Sequence, residues 1–145
     1  MGVCGRPPGG HDRRMDGYTK RNLKSEIDDQ APGFGMSPSL EYRVAREDLE
    51  LQRSGVSYLR LAPWFRMPFG HRHETQEEVY VLLTGAARLR LDDDEIALEP
   101  FDAVRIGKDT MRALEGGPEG AELILFGAPR TGSGDADMVQ GWWSE

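Results

Sequence analysis

From Tyr42 to Phe126 the chain is a succession of short apolar or alternating segments punctuated by Gly, Asp and Pro, and that spacing dictates a β fold. Val56 to Ala62 alternates, with Leu59 and Leu61 set opposite Tyr58 and Arg60. Glu78 to Thr84 is β-branched and apolar enough to read as a buried strand, which Gly85 is expected to break. Ala87, Leu89 and Leu91 then alternate with Arg88 and Arg90 as a half-buried strand. Asp92 to Asp94 reads as a turn, Glu95 to Leu98 as its return strand, and Asp102 to Ile106 and Thr110 to Glu115 as two more strands. Gly116 to Gly120 is a strong turn signal, and Ala121 to Phe126 closes the series. Helical character is confined to Leu23 to Gln30, ended by Pro32 and Gly33. The fold class expected is all-β, a closed barrel or sandwich.

A chain of 145 residues fits one domain and buries a core without disulfides. Its single cysteine, Cys4, excludes an internal disulfide and a cysteine-rich zinc site. The net charge of -7 disfavours nucleic acid, whose phosphates require clustered cations, and anionic lipid. No apolar run approaches membrane-spanning length. The first residues carry Arg6, Arg13 and Arg14 with almost nothing apolar, which fits neither a secretory nor a twin-arginine signal, and Arg6 stands where myristoylation wants Ser or Thr. The expectation is a cytoplasmic protein with a disordered leader over 1–17, an N-terminal arm over 18–40 and a barrel domain over 41–145. Met15 is an alternative start.

His71-Arg72-His73 places two imidazoles at i and i+2, on one face of an extended chain, where both reach one metal ion. Glu78 stands five residues after His73, so the chain can turn back through 74–77 and present a carboxylate to them. Two imidazoles and one carboxylate leave coordination positions open, as non-haem iron sites do, and manganese, nickel, copper and zinc accept the same donors.

The full pattern, His71-x-His73-x4-Glu78-x6-Gly85 within closely spaced strands, resembles the first motif of the cupin superfamily, and the resemblance extends over about Gly55 to Pro129. It implies a double-stranded β-helix, a jelly-roll-like barrel, with a short N-terminal arm before it. It also implies a divalent metal on His71, His73 and Glu78, and a homodimer. The sequence departs from the pattern at Phe65, where a glycine is usual, and at Gly107 and Asp109, which stand at the usual proline and glycine of the second motif.

The departure with chemical consequence is Arg112, at the position of the fourth ligand, a histidine in cupins. A guanidinium has no lone pair to donate. Strand parity leaves two directions open for it: outward as an edge arginine, or inward beside Leu114. If it points inward, two arrangements compete. In one, metal and Arg112 together call for an anionic ligand, because a unit charge about 5 Å from each unit of metal charge costs roughly 3 kcal/mol at an effective dielectric of about 20. In the other, Arg112 pairs with Glu78 and the pocket is a metal-free binding or sensing module.

Around this set, Gln76 and Tyr80 are candidate substrate contacts, and Glu77 is a weaker candidate ligand than Glu78. Trp64, Phe65 and Phe69 are expected at an apolar mouth, and Trp142-Trp143 to pack the C-terminal segment against the barrel or a partner subunit. The function expected is that of a metal-binding cupin acting on a small anionic or hydroxylated metabolite as a dioxygenase, isomerase or lyase. A binding module without catalysis is the alternative.

Overall fold

Two long strands, β4 (Glu78–Leu91) and β7 (Arg112–Gly127), pair antiparallel along almost their whole lengths and organise the computed structural model, which describes residues 17–128 and 135–144. Around them lie β1 (Leu40–Val44), β2 (Gly55–Leu61), β3 (Phe69–His73), β5 (Asp94–Leu98), β6 (Ala103–Ile106) and β8 (Ala136–Gln140). β7 takes β2 and, at its own first residue, the middle of β3 on one edge and β4 on the other. The far edge of β4 is covered by β6 along its first residues and by β5 along its last. β1 extends the sheet beyond β2, and β8 beyond β3, so every pairing is antiparallel. The leader, with Cys4 and Met15, lies outside the described residues.

The inner face of this curled sheet is aliphatic. Leu59, Leu61, Leu82, Leu89, Ile106 and Leu123 are buried together in one cluster with Tyr80 and Leu114. Each such aliphatic side chain contributes roughly 1.5–3 kcal/mol on leaving water. The alternation of β4 explains its placement: Tyr80, Leu82, Ala87 and Leu89 are buried, while Thr84, Gly85 and Arg88 are exposed.

Gly85 does not break the strand. It adopts a left-handed φ of 79°, and opposite it Gly120 has φ 78°. Register with β7 slips there: Gly85 pairs with Ala121 but Ala87 pairs with Gly116. The segment read as a turn at Gly116 to Gly120 is therefore a bulge inside a continuous strand, with Pro118 and Glu119 exposed on it. A Cβ at Gly85 would stand 2.1 Å from the Gly120 carbonyl oxygen, so both glycines serve this close approach.

The helix expected over Leu23 to Gln30 is absent; turns and bends occupy it, and Asp29 bridges instead to Arg43. Its side chain accepts from the amides of Ala31 and Tyr42, a local alternative to helix that Asp readily offers. One helical turn forms at Ala31–Phe34, with Pro32 inside it near its start, where a missing N–H costs nothing.

The C-terminal residues fold back onto their own barrel. Trp143 is buried beneath the guanidinium groups of Arg66 and Arg88, and Arg90 lies over Trp142. Gly70 lets the Trp142 ring lie against the β3 backbone, since a Cβ there would meet that ring at 2.5 Å.

Candidate metal centre

β3 sets His71 and His73 on one face, as their i, i+2 spacing requires, and their rings stand edge to face with centroids 5.1 Å apart. Glu78 opens β4 after the intervening turn. One donor atom from each of the three lies within 4.8 Å of the others. Glu78 Oε1 is 3.9 Å from His71 Nε2 and abuts His73 Nε2. His73 is 6 % exposed. Burial by itself would raise the Glu78 pKa, but the two imidazoles facing it prevail and hold it well below the usual carboxylate range.

Behind His73 stands Asp135, a residue that the sequence reading did not single out. Its Oδ2 is 3.2 Å from His73 Nδ1. Its Oδ1 accepts from the amides of Glu74 and Thr75 and from the Thr75 hydroxyl. Burial would raise the Asp135 pKa; the Thr75 and Glu74 donors and His73 more than offset it, so the carboxyl stays ionised. A neutral imidazole carries one N–H. If Nδ1 gives that proton to Asp135, Nε2 turns a lone pair toward Glu78, and a cation between these two is what makes the pair favourable. The donor set therefore fits a divalent metal: His71 and His73 through Nε2 and Glu78 through Oε1, with the Asp135 carboxylate standing beside His73 Nδ1 as an outer acid.

Arg112, the first residue of β7, is the direct cross-strand partner of His71 and points inward, with no exposed surface. Nη2 donates to the Gly107 carbonyl at 3.0 Å, while Nε and Nη1 have no hydrogen-bond partner among the described residues. No ion pair joins it to Glu78 among those residues; the glutamate is turned to the histidines instead. Tyr80, also buried, has its pKa raised by burial and by the neighbouring Glu78 charge, which keeps its hydroxyl protonated.

His71, His73, Glu78, Tyr80 and Arg112 share the wall of a cavity of about 260 Å³. Phe69 joins them. Trp64 does not: it is largely exposed, and Phe65 packs against the core. Gln76 is also elsewhere. Its side chain is buried, donates to the Ala128 carbonyl at 2.8 Å and faces a wider cleft that meets the cavity at Glu78. The two-residue spacing from Glu78 puts Gln76 on the turn before β4, where the Ala128 carbonyl captures it. Glu77 is turned outward to Arg105.

No family model and no curated protein matches this sequence. Solved structures do. A cupin protein from Bacteroides fragilis superposes with a TM-score of 0.63 at 24% identity, covering 82% of this chain and 89% of that one. A structure from a study of DMSP lyases gives 0.60 at 17% identity, covering 70% of this chain and 53% of that one. A predicted oxalate decarboxylase from Thermotoga maritima gives 0.55 at 16% identity, covering 63% of this chain and 81% of that one. At these identities the likeness is one of architecture, and the architecture is a cupin's: this chain folds as a double-stranded β-helix barrel that carries the His71, His73 and Glu78 cluster on its inner wall.

Proposed function

We propose that the protein binds a divalent metal through His71, His73 and Glu78 and acts on a small anionic metabolite as a dioxygenase, isomerase or lyase. The observation that supports this most directly is a fully buried arginine, with two donors unpartnered among the described residues, in the wall of the cavity that holds the His-His-Glu cluster. A metal on that cluster leaves an excess of positive charge beside Arg112, which an anion bridging the two relieves. When bound, the metal supplies Lewis acidity or a site for oxygen. The chain's own residues do the rest. Arg112 orients the anion from a fixed position, because the Gly107 carbonyl pins one arm of its guanidinium. The Asp135 carboxylate stands behind the His73 ring, and aliphatic side chains make up much of the cavity wall. The Tyr80 hydroxyl stays protonated beside Glu78, so it donates rather than accepts. That two of the similar folds are described as a predicted oxalate decarboxylase and as coming from a study of DMSP lyases agrees with a lyase activity.

Elemental analysis of protein produced without a histidine tag tests the reading. Near-stoichiometric transition metal, lost in His71→Ala with the fold intact by circular dichroism, is the expected result. Metal-free wild type that also fails to take up added iron, manganese, nickel, copper or zinc would refute it.

A further inference from the structure

The polar side chains in the cavity wall are those of Tyr42, His71, His73, Glu78, Tyr80 and Arg112, and the rest of the wall is built mainly from side chains such as Leu40, Leu59, Met67, Phe69, Leu114 and Met138. The cavity volume of about 260 Å³ suits a small ligand. We infer that the ligand is a small carboxylic acid with an apolar body, its carboxylate on Arg112 and its hydrocarbon part against the aliphatic wall. This rests on the anion-binding reading of the site given above and narrows it.

The charge end is specified by Arg112. Its guanidinium is wholly buried, and Nε and Nη1, on different edges of it, find no partner among the described residues, so each is open to donate a charge-assisted hydrogen bond to a carboxylate. An apolar body is specified by the rest of the wall. Apart from Tyr42 it consists of side chains such as Leu, Met and Phe that offer a sugar acid or polyol no hydrogen bond, so most of its hydroxyl groups would lose their water without replacement. A methylene placed there is instead removed from water at a gain. The Met67 and Met138 thioethers, unbranched and flexible, suit a wall that closes around chains of differing shape.

The experiment is calorimetric titration of the full chain, once zinc-loaded and once stripped with EDTA, against butanoate, hexanoate, octanoate, their primary amides, and gluconate. From butanoate to hexanoate the affinity should rise roughly fourfold per methylene and level off when the cavity is full. Each amide should bind at least about tenfold more weakly than its acid, because it cannot meet the guanidinium as an anion. Gluconate should not bind detectably. Arg112→Met, which keeps volume and removes charge, should abolish the acid-over-amide preference, and the wild-type series stands without it should that variant not fold. Gluconate binding as well as hexanoate, or amides equalling acids, overturns the inference. Stripped protein that keeps the full acid series sustains it while counting against the metal; zinc uptake with no response to any acid refutes it while leaving the metal reading intact.

Discussion

Asp135 Oδ2 lies 3.2 Å from His73 Nδ1, which sets a carboxylate from just before β8 behind the ring that faces Glu78. Its other oxygen is already committed to the amides of Glu74 and Thr75. Asp135→Asn keeps an acceptor for those amides and removes the charge behind the histidine. We expect metal affinity to fall by about 10–100-fold with little change in folding. Competition against a chromophoric chelator measures it; an unchanged affinity would show that Asp135 is only a loop anchor.

Arg112 is buried without a carboxylate partner among the described residues, and a buried charge of this kind is costly to the empty fold. Arg112→Met should therefore change the unfolding free energy of ligand-free protein by less than about 2 kcal/mol in either direction. Arg112→Ala, which also opens a void, should cost more. Urea titration of both variants decides. A Met variant destabilised as much as the Ala variant would mean that the guanidinium has a structural partner.

Glu122 accepts from Lys24, Tyr58 and Thr84, and Lys24 first and Tyr58 next hold its pKa down to about 2, against an ordinary value of 4.5. A carboxyl depressed on folding stabilises the fold above pH 4.5, and that contribution is lost as pH falls toward 2. Lys24 is more than half exposed, so solvent screening leaves about 1 kcal/mol. Glu122→Gln should lower stability at pH 7 by about this amount and flatten the decline between about pH 4.5 and 2. Burial and the adjacent carboxylate push the Tyr58 hydroxyl upward, so it remains the donor throughout. Chemical denaturation across this pH range is the measurement, and parallel curves for the two proteins would exclude the linkage.

Gly85→Ala sets a Cβ against the Gly120 carbonyl and forces a side chain into left-handed backbone. Both penalties act together, and the loss should be about 3 kcal/mol or more. Because the bulge joins the two halves of the β4–β7 pair, the unfolding transition should shift as a whole. A thermal melt unchanged within about 2 °C would show that the bulge relaxes freely.

The strand pattern specified an all-β fold, barrel or sandwich, and the i, i+2 spacing put His71 and His73 on one face, because residue parity along a strand is a local property; the closed barrel with Glu78 beside them was what the resemblance to cupins implied. The direction of Arg112 was not local. Arg112, Ala113 and Leu114 are all buried, so both faces of β7 are covered there and parity could not choose between them. Gly116 to Gly120 has the composition of a turn, yet it lies in a strand because Gly85 across the ladder accommodates the extra length. Asp135 reaches His73 only because β8 pairs with β3, a contact between distant parts of the chain that no spacing announces. The order of residues along the chain decided which side chains share a strand face, and closure of the barrel decided which faces meet, for burial and pairing across strands depend on neighbours that the local sequence does not contain.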